Sequence, residues 1–334
     1  MRTGSREYRG SPRQDPQPLS PALTAGMVFA SASGYPIGSL GVGAASPFVL
    51  TAVRLALAAA AAGCIAWAGR AAWPRGQLLL HCCVAGLLGQ CVHFAGLYAG
   101  LAAGVPAAVS ALVFGLHPVV TAALTALVFR TRLRWQQLLG LGLGIAAVVS
   151  ALAGRLAAAG PLDAGSALTL LGLLGLAGSA VYQQRFCTGV DLKAATAIQL
   201  SVAVPPLAVL AVLEDGGVSD WHSAGLVVLW LVVVNSVIGT RLILEAVSRS
   251  GAARASTAFS LVPPTAAVLA WPILGQTPDA GAYAGLALGI AATLLGAGRP
   301  GLRQPQVPAP ASESTDNPAP PMPLDGTSGK RGVS

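Results

Sequence analysis

The stretch Gly140-Leu-Gly-Leu-Gly-Ile-Ala-Ala147 recurs 145 residues later as Gly285-Leu-Ala-Leu-Gly-Ile-Ala-Ala292. Segments rich in Gly, Ala and Leu can match by chance, but Pro and Phe matches at one constant offset favour a true internal repeat. The sequence therefore predicts two copies of one structural unit. The same offset pairs Phe114, Leu116, Pro118 and Leu124 with Phe259, Leu261, Pro263 and Leu269.

The repeated unit consists of apolar segments that are long enough to cross a lipid bilayer. The chain has 334 residues, of which 54% are hydrophobic and only 10% are charged, whereas soluble domains carry about 25% charged residues. A membrane-spanning helix needs about 20 apolar residues, and no strand-like alternation is present. We predict an all-α integral membrane protein with ten transmembrane helices, at about residues 21–42, 48–68, 77–99, 106–129, 135–153, 165–185, 194–213, 223–246, 253–275 and 280–298.

Basic residues test this helix count, because loops that carry Arg and Lys stay in the cytoplasm. With ten helices, 17 of the 20 basic residues fall in the termini and loops of one side. We therefore predict a multi-pass protein of the cytoplasmic (plasma) membrane with both termini in the cytoplasm. Cleavage near Ala30-Ser31-Ala32 is the alternative, and it would leave nine helices. The opposite loops hold Arg155 and the acidic residues Asp163, Glu214, Asp215, Asp220 and Asp279.

The repeat and the charge distribution together predict the domain organisation. The matching segments fall on helices four and five and on helices nine and ten, so the unit comprises five helices. An odd number of helices places the second copy upside down in the membrane, which is the inverted-repeat architecture of many secondary transporters. We assign residues 21–154 and 164–298 to the two repeats. The polar segments 1–20 and 299–334 are predicted to be disordered and cytoplasmic.

Three parts of the chain carry a resemblance to a known family of carriers: Thr51-Ala-Val-Arg54-Leu55, Leu116-His-Pro-Val-Val120, and a helix-nine part with Leu261-Val-Pro263 and Ile273-Leu-Gly-Gln276. On these motifs, residues 21–298 resemble the ten-helix, EamA-type carriers of the drug/metabolite transporter superfamily. The resemblance implies export or exchange of small metabolites. The chain departs from that family at Thr131 and Gln276, where such carriers usually have Glu, which marks a divergent member.

Polar side chains inside the predicted helices are candidates for substrate binding, because such groups are unfavourable in lipid. Arg54 can either bind a substrate carboxylate or extend to the membrane surface. His93 and His117 can bind substrate, relay protons or remain neutral hydrogen-bonding groups between helices. Gln90 is predicted to share a helix face with His93. The predicted substrate-binding residues are Tyr35, Arg54, Gln90, His93, His117 and Asn235.

Three prolines and one charged pair complete the candidate residues. Pro118, Pro205 and Pro263 each remove a backbone hydrogen bond, and interrupted helices often line transporter cavities. Simple packing kinks are the alternative explanation. Arg241 and Glu245 are four residues apart in helix eight, so a structural ion pair is predicted.

The absence of catalytic motifs from the sequence favours transport over catalysis. The five cysteines lie in or beside apolar segments without metal-binding spacing, and we interpret them as small apolar side chains. No catalytic or nucleotide-binding motif occurs, which predicts no enzyme activity, cofactor, metal site or nucleic-acid partner. We predict a secondary transporter that exports an amino-acid-like or drug-like metabolite by alternating access. The alternative is a membrane scaffold or assembly partner, and both proton coupling and a homodimer are compatible with the sequence.

Overall fold

The computed structural model describes residues 20–130, 135–159, 163–250, 258–277 and 280–296. Within these ranges the regular secondary structure is helical, and one isolated backbone bridge joins Ala45 to Val218. We number the helices in chain order: α1 (Pro21–Ala44), α2 (Pro47–Ala68), α3 (Gln77–Ala102), α4 (Ala107–Val128), α5 (Trp135–Ala159), α6 (Ala164–Phe186), α7 (Leu192–Leu213), α8 (Trp221–Trp230, Leu231–Gly239 and Thr240–Ser250 in succession), α9 (Val262–Leu274) and α10 (Ala280–Gly296).

The ends of α1 to α4, α6 and α7 lie within three residues of their predicted positions. Helices α5 and α8 continue beyond their predicted ends, to Ala159 and Ser250, because their last turns consist largely of residues that tolerate a helix well. The predicted start of helix nine, Thr131 and Asp279 lie outside the described residues. The predicted disordered segments also lie outside them, apart from Ser20, whose hydroxyl caps α1 by accepting a hydrogen bond from the N–H of Leu23.

Six helices of the described residues are long and apolar enough to cross a membrane: α2, α3, α4, α6, α7 and Trp221–Ile243 of α8. Shorter apolar helices lie at Leu138–Ser150, Val262–Leu274 and Ala280–Ala292. Large apolar side chains point outward from several helices. Trp67 is 81% exposed and Val212 is 77% exposed. Surfaces of this kind are unfavourable in water but suit a lipid environment, so the fold is that of an all-helical membrane protein.

The helix contacts of the first half of the chain match those of the second half. In this comparison each helix from α1 to α5 corresponds to the helix five positions later, α6 to α10. Helix α5 packs along α10, α2 packs along α7, and α4 contacts α9. The contact of α3 with α6 corresponds to the contact of α8 with α1. In the same way, the contact of α1 with α9 corresponds to that of α6 with α4. The equivalent helices α3 and α8 each contain a π-helical segment, Leu87–Val92 in α3 and Leu231–Gly239 in α8. The two halves of the chain therefore make corresponding contacts.

Glycines allow α3 and α6 to approach closely. Gly96 and Gly100 stand four residues apart on α3, and a Cβ atom on Gly96 would overlap the carbonyl oxygen of Leu168. The same Cβ atom would lie 2.7 Å from the amide nitrogen of Gly172. Small residues at this spacing are typical of membrane helix interfaces. This contact positions the segment of α3 that carries His93 and its neighbours.

Helix α4 is interrupted near its midpoint, and a turn precedes α9 at the equivalent position. Helix α4 consists of Ala107–Gly115 and His117–Val128. The carbonyl of Leu116 between them accepts hydrogen bonds from the N–H groups of both Val119 and Val120. In the second repeat, α9 begins at Val262 directly after a turn. Pro118 and Pro263 thus each lie in the first turn of a helical segment, where a missing N–H is tolerated.

Helix α7 shows that proline alone does not predict a break. It runs without interruption from Leu192 to Leu213 through Pro205 and Pro206. The break predicted at Pro205 is therefore not formed. Helix α7 packs along α2, and neighbouring helices stabilise proline-containing membrane helices by holding the backbone in place.

Candidate functional site

Arg54 is a buried cation between α2 and α3. Its side chain is only 6% exposed, and its Nη1 donates a hydrogen bond to the hydroxyl of Tyr98. The guanidinium carbon lies 4.4 Å from the ring centroid of Phe94 and 5.8 Å from that of Tyr98. Arg54 therefore points into the helix bundle and does not extend to the membrane surface. Aromatic faces attract cations at these distances.

A row of rings continues from Arg54 across two further helices. The rings of Phe94 and His93 have centroids 4.4 Å apart. His93 meets Phe114 of α4 edge-on at 4.7 Å, and Phe114 lies 6.4 Å from Tyr35 of α1. The structure thus joins three predicted site residues, Tyr35, Arg54 and His93. We call the six residues Tyr35, Arg54, His93, Phe94, Tyr98 and Phe114 the Arg54 cluster.

Several buried polar atoms of α2, α3 and α4 lack a hydrogen-bond partner within the described residues. They include Nε of Arg54 and Nδ1 of His93. Three more such atoms belong to α4: Oγ of Ser110, Nε2 of His117 and Oγ1 of Thr121. Together with Phe114, these residues follow one another in the sequence at intervals of three or four. Because buried polar groups almost always have partners, these unpaired atoms are exceptional among the described residues.

Gln90 precedes His93 by three residues in α3. It lies in the π-helical segment Leu87–Val92 of α3 and is half-buried. The wider π turn changes the angle between positions three residues apart, so α-helical spacing does not by itself establish the face that was predicted for Gln90 and His93. No hydrogen bond or ring contact links Gln90 to the Arg54 cluster within the described part of the chain.

Asn235 lies at a different helix contact. Its Nδ2 donates a 2.6 Å hydrogen bond to the carbonyl of Ala30 in α1, while its Oδ1 is buried without a partner in the described residues. One turn earlier in α8, Nε1 of Trp230 donates to the hydroxyl of Ser33 at 3.2 Å. These bonds hold α8 against α1. Asn235 therefore contributes to packing between the halves rather than to the Arg54 cluster.

The ion pair predicted between Arg241 and Glu245 stays a prediction. Arg241 is exposed and Glu245 is half-buried. A spacing of four residues permits such a pair but stabilises an exposed one by only about 0.3–0.5 kcal/mol. The spacing therefore permits the pair without establishing it.

Of the rings in the cluster, Tyr35 and His93 were identified from the sequence, whereas Phe94, Tyr98 and Phe114 were not. Phe94 and Tyr98 stand four residues apart on α3, so they lie on one helix face and can cover a single guanidinium. That spacing was the available signal. Phe114 belongs to Ala107–Gly115, the segment of α4 that packs against α9, and nothing in its sequence neighbourhood indicated contact with His93.

A groove of about 430 Å³ lies between α1 and α8, away from the Arg54 cluster. Its walls are mostly apolar, and Asp220 and Ser223 supply polar groups at the start of α8. None of the predicted site residues lines this groove.

Comparison with known proteins bears on the fold and the family of the chain. A solved structure, described as the crystal structure of a protein, has a TM-score of 0.57 and 19% sequence identity, covering 83% of this chain and 96% of its own. At this identity, the likeness concerns the fold alone. No curated protein matches the chain. The model of the EamA-like transporter family matches residues 20–153 and again residues 163–297, which nearly coincide with the two predicted repeats. The chain therefore belongs to the EamA-like transporter family.

Proposed function

We propose that this protein is a secondary transporter that exports a small metabolite across the plasma membrane by alternating access. The observation that carries this proposal is the correspondence of helix contacts between the two family-matched halves. Halves with matching contacts can exchange their conformations, which would open a central site first to one side and then to the other.

The proposed topology has ten spanning helices in two inverted repeats with both termini in the cytoplasm. The asymmetric distribution of basic residues supports this orientation. It is tested by cysteine labelling in intact cells, using a variant without native cysteines. We expect Glu214→Cys to react with a membrane-impermeant maleimide from outside, and Trp73→Cys to react only after the membrane is opened. Labelling of both from outside would contradict the topology.

We place the substrate site at the Arg54 cluster. Arg54 and His93 are both buried, and each retains an unpaired nitrogen. Aromatic rings cover these groups from α1, α3 and α4. Helix segments that meet at such a site and contain breaks can change position with little loss of backbone hydrogen bonding. His93 and His117 are the groups that we propose for proton coupling, because imidazole exchanges protons near neutral pH.

The transport proposal is tested first by comparing metabolites in the medium of cells with and without the protein. Solutes that accumulate are then offered to vesicles containing purified protein, with and without an imposed pH gradient. We expect Arg54→Ala and His117→Ala to reduce flux while the protein remains in the membrane. Arg241→Ala, at the exposed arginine, is the matched control and should transport normally. No protein-dependent flux of any solute would favour a scaffold role instead.

A further inference from the structure

The first repeat contains no acidic residue that could neutralise Arg54. The sequence has neither Asp nor Glu between Asp15 and Asp163. In the second repeat, the acidic residues stand between helices or near helix ends. Glu245, the acidic residue inside α8, lies beyond the apolar span Trp221–Ile243. The buried positive charge of Arg54 therefore has no carboxylate on the described helices of its own repeat, α1 to α5.

The aromatic neighbours of Arg54 attract its charge but do not cancel it. Phe94 presents its ring face at 4.4 Å, and Tyr98 accepts one hydrogen bond from Nη1. Nε remains buried and without a partner in the described residues. A buried charge is normally compensated by an opposite charge and by hydrogen bonds. An anionic oxygen at Nε would supply both.

From this geometry we infer that the Arg54 cluster binds a small monoanion with a carboxylate and a planar apolar body. This inference rests on the proposed substrate site. The carboxylate accepts hydrogen bonds from the guanidinium, for which it is the matching partner. The planar body packs among the rings of Phe94, His93 and Phe114, which favour other flat rings. An ammonium group finds no acidic partner here, so the site selects anions over zwitterions and cations.

Access of the anion requires movement of the covering rings. Arg54 is 6% exposed in this structure, so Phe94 or Tyr98 must shift before a carboxylate can reach Nε. Anionic lipid phosphate has similar oxygen chemistry and is the other source of such a ligand. The two sources are distinguished by working with neutral detergent and adding either benzoate or phosphatidylglycerol.

The test is ligand binding to the full-length purified protein, measured by the thermal unfolding midpoint and by titration. Four probes of similar size are compared: benzoate, the neutral benzamide, the cation benzylamine and the zwitterion phenylalanine. We expect benzoate to raise the midpoint most and benzylamine not to raise it. Arg54→Gln should weaken benzoate binding by about tenfold to a hundredfold, because it removes charge-assisted hydrogen bonds. Arg241→Gln is the matched control and should bind benzoate normally.

Several outcomes would overturn the inference. These are an absent response to benzoate, an equal response to benzylamine, or unchanged benzoate binding in Arg54→Gln. A response to phosphatidylglycerol but not to benzoate would assign the site to lipid and would also overturn it. If Arg54→Gln does not fold, Arg54→Lys keeps the charge and is expected to bind benzoate more weakly than the wild type. Because binding is measured without transport, its failure is separate from failure of the transport proposal.

Discussion

Gln276 accepts a 3.2 Å hydrogen bond from the backbone N–H of Ala107, through its side-chain Oε1. Ala107 is the first residue of α4, and Gln276 follows Gly275, which ends α9 in a left-handed conformation with φ of 66°. The first N–H groups of a helix have no partner within it. A residue at the end of α9 therefore caps the start of α4, at a position where the resemblance to EamA-type carriers predicts Glu.

Removal of this cap should destabilise the contact between the halves. We expect Gln276→Ala to lower the free energy of unfolding by about 1 kcal/mol, as for other lost helix caps. The measurement is thermal unfolding of the purified protein in detergent. Gln136→Ala is the control, since Gln136 is exposed at the start of α5. Equal midpoints for the two variants would show that the Gln276 bond contributes nothing measurable.

Restoring the family residue should have the opposite effect. A carboxylate at a helix N-terminus interacts favourably with the positive end of the helix dipole, by about 0.3–1 kcal/mol. We expect Gln276→Glu to raise the unfolding midpoint in low salt. The gain should shrink in high salt, because ions screen the interaction. A midpoint below that of the wild type would contradict this explanation of the Gln276 contact.

The helices could be located from the sequence because charge is nearly absent from their interiors. Gaps between charged residues gave the ends of most helices, and the offset repeat paired the two halves before any contact was known. Side-chain partners could not be found in this way. Arg54, for example, donates a hydrogen bond to Tyr98 on another helix, and no spacing along the chain indicates that partner.

The π-helical segments explain a further part of what the sequence did not predict. They turn α3 and α8 out of regular α-helical phase, so the angular position of Gln90 and Asn235 could not be derived from spacing. Which face of α3 meets α2 depends on packing among helices. That packing is set by many small contacts and not by a local motif.

The hydrogen bond between Arg54 and Tyr98 should be important for stability. Tyr98→Phe keeps the ring but leaves a buried donor of Arg54 without its acceptor, which typically costs about 1–3 kcal/mol. We expect a lower unfolding midpoint, measured in detergent. Tyr283→Phe is the matched control, since Tyr283 is 61% exposed. If the two variants unfold alike, the hydroxyl of Tyr98 is not a significant partner of Arg54.

Asp191 should make stability depend on acid pH. It precedes α7, accepts a 2.9 Å hydrogen bond from the N–H of Lys193, and accepts a second, at 3.4 Å, from the N–H of Ala72. The backbone hydrogen bond from Lys193 is the main reason that the pKa of this carboxyl lies below its ordinary value. A depressed folded pKa stabilises the protein above the unfolded pKa, and this stabilisation is lost as the pH falls through the folded pKa.

Asp191→Ala should therefore unfold at a lower temperature than the wild type at neutral pH. The difference should narrow progressively below about pH 4, near the unfolded pKa of Asp. Thermal unfolding across this range measures it. Asp191→Asn keeps a capping oxygen without the titration and serves as the control. A difference between Asp191→Ala and the wild type that stays constant into acid would exclude the ionised cap as its cause.

Two glycines of α1 provide a matched test of how tightly the Arg54 cluster is packed. A Cβ atom on Gly38 would lie 2.6 Å from Cε1 of Tyr98, whereas a Cβ atom on Gly43 would meet nothing within 4 Å. We expect Gly38→Ala to displace the Tyr98 ring and to destabilise the protein by about 1–3 kcal/mol, as overpacking does. Gly43→Ala should be neutral or stabilising by up to about 1 kcal/mol, because alanine favours the helix. Unfolding midpoints measure both changes, and benzoate titration shows whether Gly38→Ala also disturbs Arg54.

Similar midpoints for the two variants would contradict this prediction. They would mean that α1 can move away from Tyr98 without loss of stability, so that the close packing of Gly38 against the cluster has no energetic consequence.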